Sequence, residues 1–329
     1  MDVTNRGVID PLRKCHLRCD FCYYLHSDLE SVQPWPVVQA AVDEAVKRKD
    51  THVDITGGEP LLYPDIVDLV AYALERNIRS RIISSLVAAP AVVENVIRAG
   101  LDDWLISMHG ATAETHNAIV HVDKARSIQE KRLSSIINHS QFDRGICFNY
   151  VMISRNQHEI ADFAQYVLRW RPRVVNFINF NPHYEWATRG GDVVCDLRIT
   201  GPQLDQAIEL LEDNDVGVNV RYFPMCHLEE RHRKNVCNDL HVAFDSGEWS
   251  NGIENKDYQT AYNYGVNLSN AIEEKNSPCS QCSHQWTCGG ANKAWHAASN
   301  QRYGELLVPL TTTVLSFDHY RKYNIKGMA

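Results

Sequence analysis

Up to about residue 223, short apolar runs alternate with segments whose apolar positions recur every three to four residues. Val8-Ile9 is a first strand candidate. Thr51 to Thr56 alternates, with Val53 and Ile55 on one face. Ser80 to Ser84, Asp103 to Met108, Ile146 to Met152 and Val174 to Phe180 read as further strands. Between them lie amphipathic helices. Val38, Ala41, Val42, Ala45 and Val46 share one helical face, as do Ile66, Leu69, Val70, Ala73 and Leu74, and again Ile160, Phe163, Ala164, Val167 and Leu168. Pro64 and Pro90 sit near helix starts, and Gly100 sits where the third helix should stop. Leu204, Ala207, Ile208 and Leu211 predict another helix, and Val218 to Phe223 another strand.

This is a βα series of about six units, which implies a parallel sheet with helices outside it, as a barrel or as an open doubly wound sheet. After Pro224 the pattern breaks down into a stretch rich in Cys, His, Asn, Trp and Tyr. A domain boundary is therefore expected near residue 223, giving domains 1–223 and 224–329.

Composition narrows the class. The chain has 329 residues, 44 % apolar and 22 % charged, which is globular composition and excludes disorder as the main state. The net charge of −8 argues against a general nucleic-acid binder or a basic membrane-surface protein. No apolar run approaches the roughly 18 residues of a membrane span. Met1 to Ile9 carries no secretory pattern. Ten cysteines suit a metal or redox role in a reducing compartment, so a cytoplasmic location is expected.

Three of those cysteines stand in Cys15-His16-Leu17-Arg18-Cys19-Asp20-Phe21-Cys22, directly after the first strand candidate. Three thiolates on one loop leave a tetrahedral zinc site incomplete. They can hold three irons of a [4Fe–4S] cube and leave the fourth iron open. The end of a barrel strand is where chemistry is expected in this architecture. A zinc loop remains the alternative.

The chain resembles the radical S-adenosylmethionine (SAM) superfamily. The Cys-x3-Cys-x2-Cys loop, with Phe21 before the last cysteine, is similar to that superfamily's signature. Thr56-Gly57-Gly58-Glu59-Pro60 ends the second strand, like the motif that receives the methionine amino group of SAM. Ser84-Ser85 ends the third, where the superfamily places ribose-contacting residues, and Ser107-Met108-His109-Gly110 ends the fourth. The resemblance implies an α/β fold, a partial (β/α)6 TIM-like barrel. It implies that Cys15, Cys19 and Cys22 ligate a [4Fe–4S] cluster with an open iron. Gly57, Gly58, Glu59, Pro60, Ser84, Ser85, Ser107, His109 and Phe21 would then line the SAM site. An electron from a donor such as flavodoxin or ferredoxin would cleave SAM to methionine and a 5′-deoxyadenosyl radical, which removes a hydrogen from the substrate.

A second run, Cys279-Ser280-Gln281-Cys282 with Cys288, has spacing that zinc or iron–sulfur could use. It looks like the auxiliary-cluster region of SPASM or twitch extensions, a small irregular C-terminal domain. Asn292 stands where the full pattern has a further cysteine, so one auxiliary cluster, of the [4Fe–4S] type, is expected rather than two. Cys226 is the preferred fourth ligand and Cys237 the runner-up; Cys147 and Cys195 read as buried small residues. Arg231-His232-Arg233-Lys234 is either an anion site or a solvated loop. Asn149, Asn156, Asn179 and Asn181 stand as ligand contacts or as turn residues. His121, His183, His227 and His241 are candidate acids or ligands, and Asp245 to Trp249, Trp286, Trp295 and Tyr303 could cap the barrel or pack around the second cluster.

The substrate expectation is a small molecule, nucleoside or sugar, because the cluster loop starts at Cys15 and leaves no room for an N-terminal peptide-recognition domain. Oxidation, epimerisation and isomerisation are the open outcomes. The alternatives are a ribosomal-peptide-modifying enzyme, an isomerase acting on a modified nucleotide in DNA, and a non-enzymatic zinc or iron–sulfur scaffold.

Overall fold

The structure is a computed structural model and describes residues 6–22, 24, 28–142, 145–180, 193–237, 281–284 and 288. Its strands are β1 (Arg6–Ile9), β2 (His52–Ile55), β3 (Arg79–Ser84), β4 (Asp103–Ser107), β5 (Ile146–Met152), β6 (Pro172–Asn179), β7 (Gly217–Arg221) and β8 (Val236–Cys237). They form one sheet in sequence order, β1 through β8. Pairing is parallel, in registers such as Ile9↔Ile55, Asp54↔Arg81, Arg81↔Asp103 and Asn176↔Asn219. The helices are α1 (Trp35–Lys47), α2 (Ile66–Glu75), α3 (Pro90–Arg98), α4 (Ala113–Val120), α5 (Ala125–Ile136), α6 (Ile160–Val167) and α7 (Leu197–Glu212). This is the partial βα barrel that the resemblance implied, one of the two arrangements that the alternation left open. All seven strand candidates lie in the sheet, and β8 adds a two-residue edge.

The α4 and α5 segments escaped the periodicity reading. The inward face of α5 carries Arg126 and Gln129, both fully buried, so its apolar stripe is diluted by polar groups. Only contact with the rest of the chain makes that face a packing face.

The chain divides into two compact units, one holding β1 to β4 and the other β6 to β8. In the first, a Cβ placed on Gly7 would lie 3.1 Å from Ala45 of α1 and 3.2 Å from Val53. Gly7 and Val53 therefore face the helices. Arg6 and Asp54 face the other way, and the register carries Arg81 and Asp103 with them. Arg6 meets Asp54 at 2.7 Å, and Arg81 grips the same carboxylate with two bonds of 2.7 Å. The polar half of the β2 alternation thus faces a buried ionic layer, not water, and all four β2 residues are buried. The two guanidiniums hold the Asp54 carboxyl well below the usual range against the opposing effect of burial.

In the second unit, the Tyr150 and Phe177 rings lie 4.3 and 6.3 Å from Phe163 of α6. The neighbouring Asn149 and Asn176 turn to the opposite face. There Asn219 donates to Asn176 and Asn176 donates to Asn149, both at 2.8 Å. The expected boundary near residue 223 falls just after β7. Most of the segment beyond it, including Cys279, Trp286, Trp295, Tyr303, His241 and Asp245 to Trp249, lies outside the described residues, as do Asn181 and His183. Among the described residues no helix is long and apolar enough to cross a membrane.

Candidate active site

The cysteine loop leaves the end of β1 and is held on three sides. At its base, the Tyr24 hydroxyl donates to Asp10 at 2.8 Å, so residues 10 and 24 bracket the three cysteines. Burial raises the Asp10 carboxyl above its ordinary pKa, with the Tyr24 bond opposing. On one flank the Arg18 and Asp20 N–H groups donate to the Val120 and Ile119 carbonyls, both at 3.1 Å. These carbonyls end α4 and have no partner within the helix. His121 Nε2 lies 2.6 Å from Asp20 Oδ1 beside them, which places this candidate histidine in a hydrogen bond with the loop.

The third side is the turn after β2. Gly58 N–H donates to Leu12 O and Glu59 N–H to Lys14 O, each at 2.8 Å. A Cβ on Gly58 would sit 2.2 Å from Lys14 O, and one on Gly57, whose φ is +111°, would sit 2.3 Å from Leu12 O. The glycines admit the backbone of the cysteine loop itself.

Glu59 is 1 % exposed and ties this turn to the end of β3. Its Oε1 accepts from the Ser84 hydroxyl at 2.6 Å and from Leu61 N–H at 3.3 Å. Its Oε2 accepts from the Ser85 N–H at 3.0 Å and the Ser85 hydroxyl at 2.5 Å. Pro60 follows as the first residue of a 3₁₀ turn, Pro60–Leu62, capped by Glu59.

Gln129 belongs to this group and sequence reasoning missed it. Fully buried on α5, it donates to Ser85 O at 2.8 Å and Ser107 O at 2.9 Å, joining the ends of β3 and β4. No local signal distinguishes it from an ordinary helix glutamine. In the second unit, the His109 ring accepts from Val151 N–H at 3.1 Å through Nδ1, which leaves the proton on Nε2. Asn156 is fully buried and donates to the His109 and Val151 carbonyls at 2.9 Å, so it is a turn residue. Asn179 donates to Tyr222 O at 3.0 Å.

The donor chemistry of the loop fits a cluster. Burial, with the mutual repulsion of the thiolates adding to it, pushes Cys15 up to about 11 and Cys19 higher still. Thiolates crowded this way need a positive partner, and metal binding would release their protons. Leu17 N–H points at Cys15 Sγ at 3.4 Å, the kind of bond that stabilises ligated sulfur. Among the described residues, no three His, Cys, Asp or Glu side chains converge on a single ion position. A cube distributes its thiolates over separate irons and does not require such convergence. None of the described cysteines forms a disulfide.

The family model of the radical SAM superfamily matches residues 9–167. The chain carries a radical SAM domain. Such a domain implies SAM and a [4Fe–4S] cluster as cofactors. Among curated relatives, the GTP 3′,8-cyclase of Acaryochloris marina is 28 % identical over 212 residues, 60 % of each chain. The PqqA peptide cyclase of Methylorubrum populi is 28 % identical over 205 residues, 60 % of this chain and 51 % of the relative. The match thus spans about half to three-fifths of those relatives' lengths. Streptococcus suis SuiB bound to SAM shares the fold at TM-score 0.60 and 16 % identity, over 89 % of this chain and 74 % of SuiB.

In the second unit, Met225 N–H lies 3.3 Å from Cys288 Sγ, so Cys226, the next residue, sits near the second cysteine run. His284 N–H lies 3.4 Å from Cys282 Sγ, the same two-residue pattern as Leu17 and Cys15. Cys237 ends β8, paired in register with Arg221. Cys147 and Cys195 are buried. The basic run is committed elsewhere: Arg231 pairs with Glu209 and Glu229, and Lys234 with Glu212, at 2.8–3.0 Å.

Proposed function

We propose that this chain is a radical SAM enzyme acting on a peptide, with SAM cleaved reductively at a cluster held by Cys15, Cys19 and Cys22. The observation that carries the reading is the double stitch between the cysteine loop and the Gly57–Glu59 turn, which makes a three-thiolate site and a buried carboxylate one piece. Bound together, the reduced cluster and SAM supply a 5′-deoxyadenosyl radical able to abstract an unactivated hydrogen. The chain's own residues do the rest. Glu59 would meet the ammonium of SAM, Ser84 and Ser85 the ribose hydroxyls, and Phe21, Gly57, Gly58, Pro60 and Ser107 would complete the wall.

Two points favour a peptide over the small molecule, nucleoside or sugar. One named relative is a peptide cyclase, and SuiB has been crystallised with its precursor peptide. Arg231 and Lys234 of the basic run, which could have held a phosphate, pair with the α7 and Glu229 carboxylates, and Arg233 donates to the Met225 and Leu228 carbonyls. Cys226, Cys279, Cys282 and Cys288 hold one auxiliary cluster in this reading, supported by the two N–H to sulfur contacts. The electron comes from a donor of the flavodoxin or ferredoxin kind.

Anaerobic reconstitution tests the reading. A brown protein that forms 5′-deoxyadenosine from SAM with dithionite is expected. A colourless zinc-loaded protein that leaves SAM intact would replace it with the scaffold alternative.

A further inference from the structure

The carboxylate of Glu59 has no acceptor position left. Two oxygens offer about four lone-pair sites, and four donors take them: the Ser84 hydroxyl, Leu61 N–H, Ser85 N–H and the Ser85 hydroxyl. Each serine has a single hydroxyl proton, and both protons go to Glu59. Each serine oxygen is also pinned from behind, Ser84 Oγ by Leu86 N–H at 2.8 Å and Ser85 Oγ by Val87 N–H at 3.3 Å. The hydroxyl protons can swing about one bond while the oxygens stay in place. The two backbone donors cannot swing at all.

A fifth donor therefore reaches Glu59 only by displacing a serine hydroxyl. From this we infer that Glu59, Ser84 and Ser85 are a built-in coupling between the two halves of SAM. The ammonium of the methionine half displaces the serine hydroxyls from Glu59, and the released hydroxyls then donate to the ribose oxygens of the nucleoside half. Either half alone breaks a satisfied buried network, and the second half finds it already broken. The coupling is reciprocal by linkage. It rests on the proposed function for the identity of the ligand, and adds that the site recognises the two halves of SAM together and discriminates against either half alone.

The test uses the reconstituted holoenzyme with its clusters oxidised, so that SAM is not consumed. L-methionine and 5′-deoxyadenosine are titrated calorimetrically, each alone and each with the other saturating, with SAM as the reference ligand. Each fragment should tighten the other by the same factor, about five- to tenfold, the lower part of the usual coupling range. In Ser85→Ala that factor should fall to near one. Methionine should bind Ser85→Ala at least as tightly as wild type, because nothing has to be displaced, while 5′-deoxyadenosine binds more weakly. Ser85→Thr keeps the hydroxyl and should restore the coupling. Independent binding of the two fragments to wild type, or coupling unchanged in Ser85→Ala, would overturn the inference while SAM binding leaves the proposed function standing. If SAM itself does not bind, the proposed function falls first.

Discussion

Individual side chains carry the sharpest tests. Glu59→Gln removes the charge that complements an ammonium and turns an acceptor into a donor facing Ser84 or Ser85. SAM affinity is expected to fall by about 1.5–3 kcal/mol, tenfold or more, with the iron content of the Cys15 loop retained; unchanged affinity by calorimetry would return Glu59 to a structural role. His116 gives a pH signature. It is fully buried on α4, and burial, with Arg126 nearby, lowers its pKa from 6.5 to about 3. The unfolded chain therefore takes up a proton below pH 6.5 that the folded chain refuses. Stability is fully present above 6.5 and declines as pH falls toward about 3, by about 1.4 kcal/mol per pH unit from this group. Urea unfolding between pH 6.5 and 5 should show this slope, and His116→Gln should reduce it.

The connecting elements set the geometry in which those side chains act. The turn after β2 and the loop after β1 touch backbone to backbone, so a side chain on Gly58 has only the Lys14 and Arg13 carbonyls to meet, at 2.2 and 2.5 Å. Gly58→Ala should cost about 1–3 kcal/mol, the range for overpacking, and loosen both the cluster loop and SAM binding. Normal iron retention under a chelator in that variant would show the stitch to be dispensable. The 3₁₀ turn Met225–His227 plays the corresponding part in the second unit. Cys226→Ala and Cys282→Ala are expected to remove the auxiliary EPR signal and about four irons, whereas Cys237→Ala, at the paired edge of β8, leaves both clusters intact. The reverse pattern would exchange the roles of Cys226 and Cys237.

In the whole molecule, two kinds of sheet lining serve different ends. In the first unit Arg6, Asp54 and Arg81 form a buried ionic layer, while in the second a row of amides, Asn149, Asn176 and Asn219, is linked side chain to side chain without charge. Removing the countercharge by Asp54→Asn leaves two buried guanidiniums short of a partner. A loss of about 3–5 kcal/mol is expected in chemical denaturation, with the fold as its target and not SAM specificity. Reconstitution of the whole chain should load about eight irons if both clusters form. Changing Cys15, Cys19 and Cys22 together should remove about half of them and abolish 5′-deoxyadenosine formation, which is measured by chromatography under dithionite.

Local rules were enough for much of this. Strands β1 to β7 follow from short apolar runs, helices α1, α2, α6 and α7 from apolar spacing, since each helix buries one regular face, and α3 from Pro90 and Gly100 at its ends. The cysteine loop and the Gly57–Pro60 turn are legible because metal ligation and tight turns demand particular residues at particular spacings. Helix α5 was not legible, since Arg126 and Gln129 become interior residues only when strand ends and neighbouring helices supply their partners. The same holds for the reason behind the glycines, which make room for a segment more than forty positions earlier in the chain. That Ser84 and Ser85 saturate Glu59 could not be read from either motif alone. Hydrogen-bond capacity is spent between strands, and only the folded arrangement decides which donor meets which acceptor.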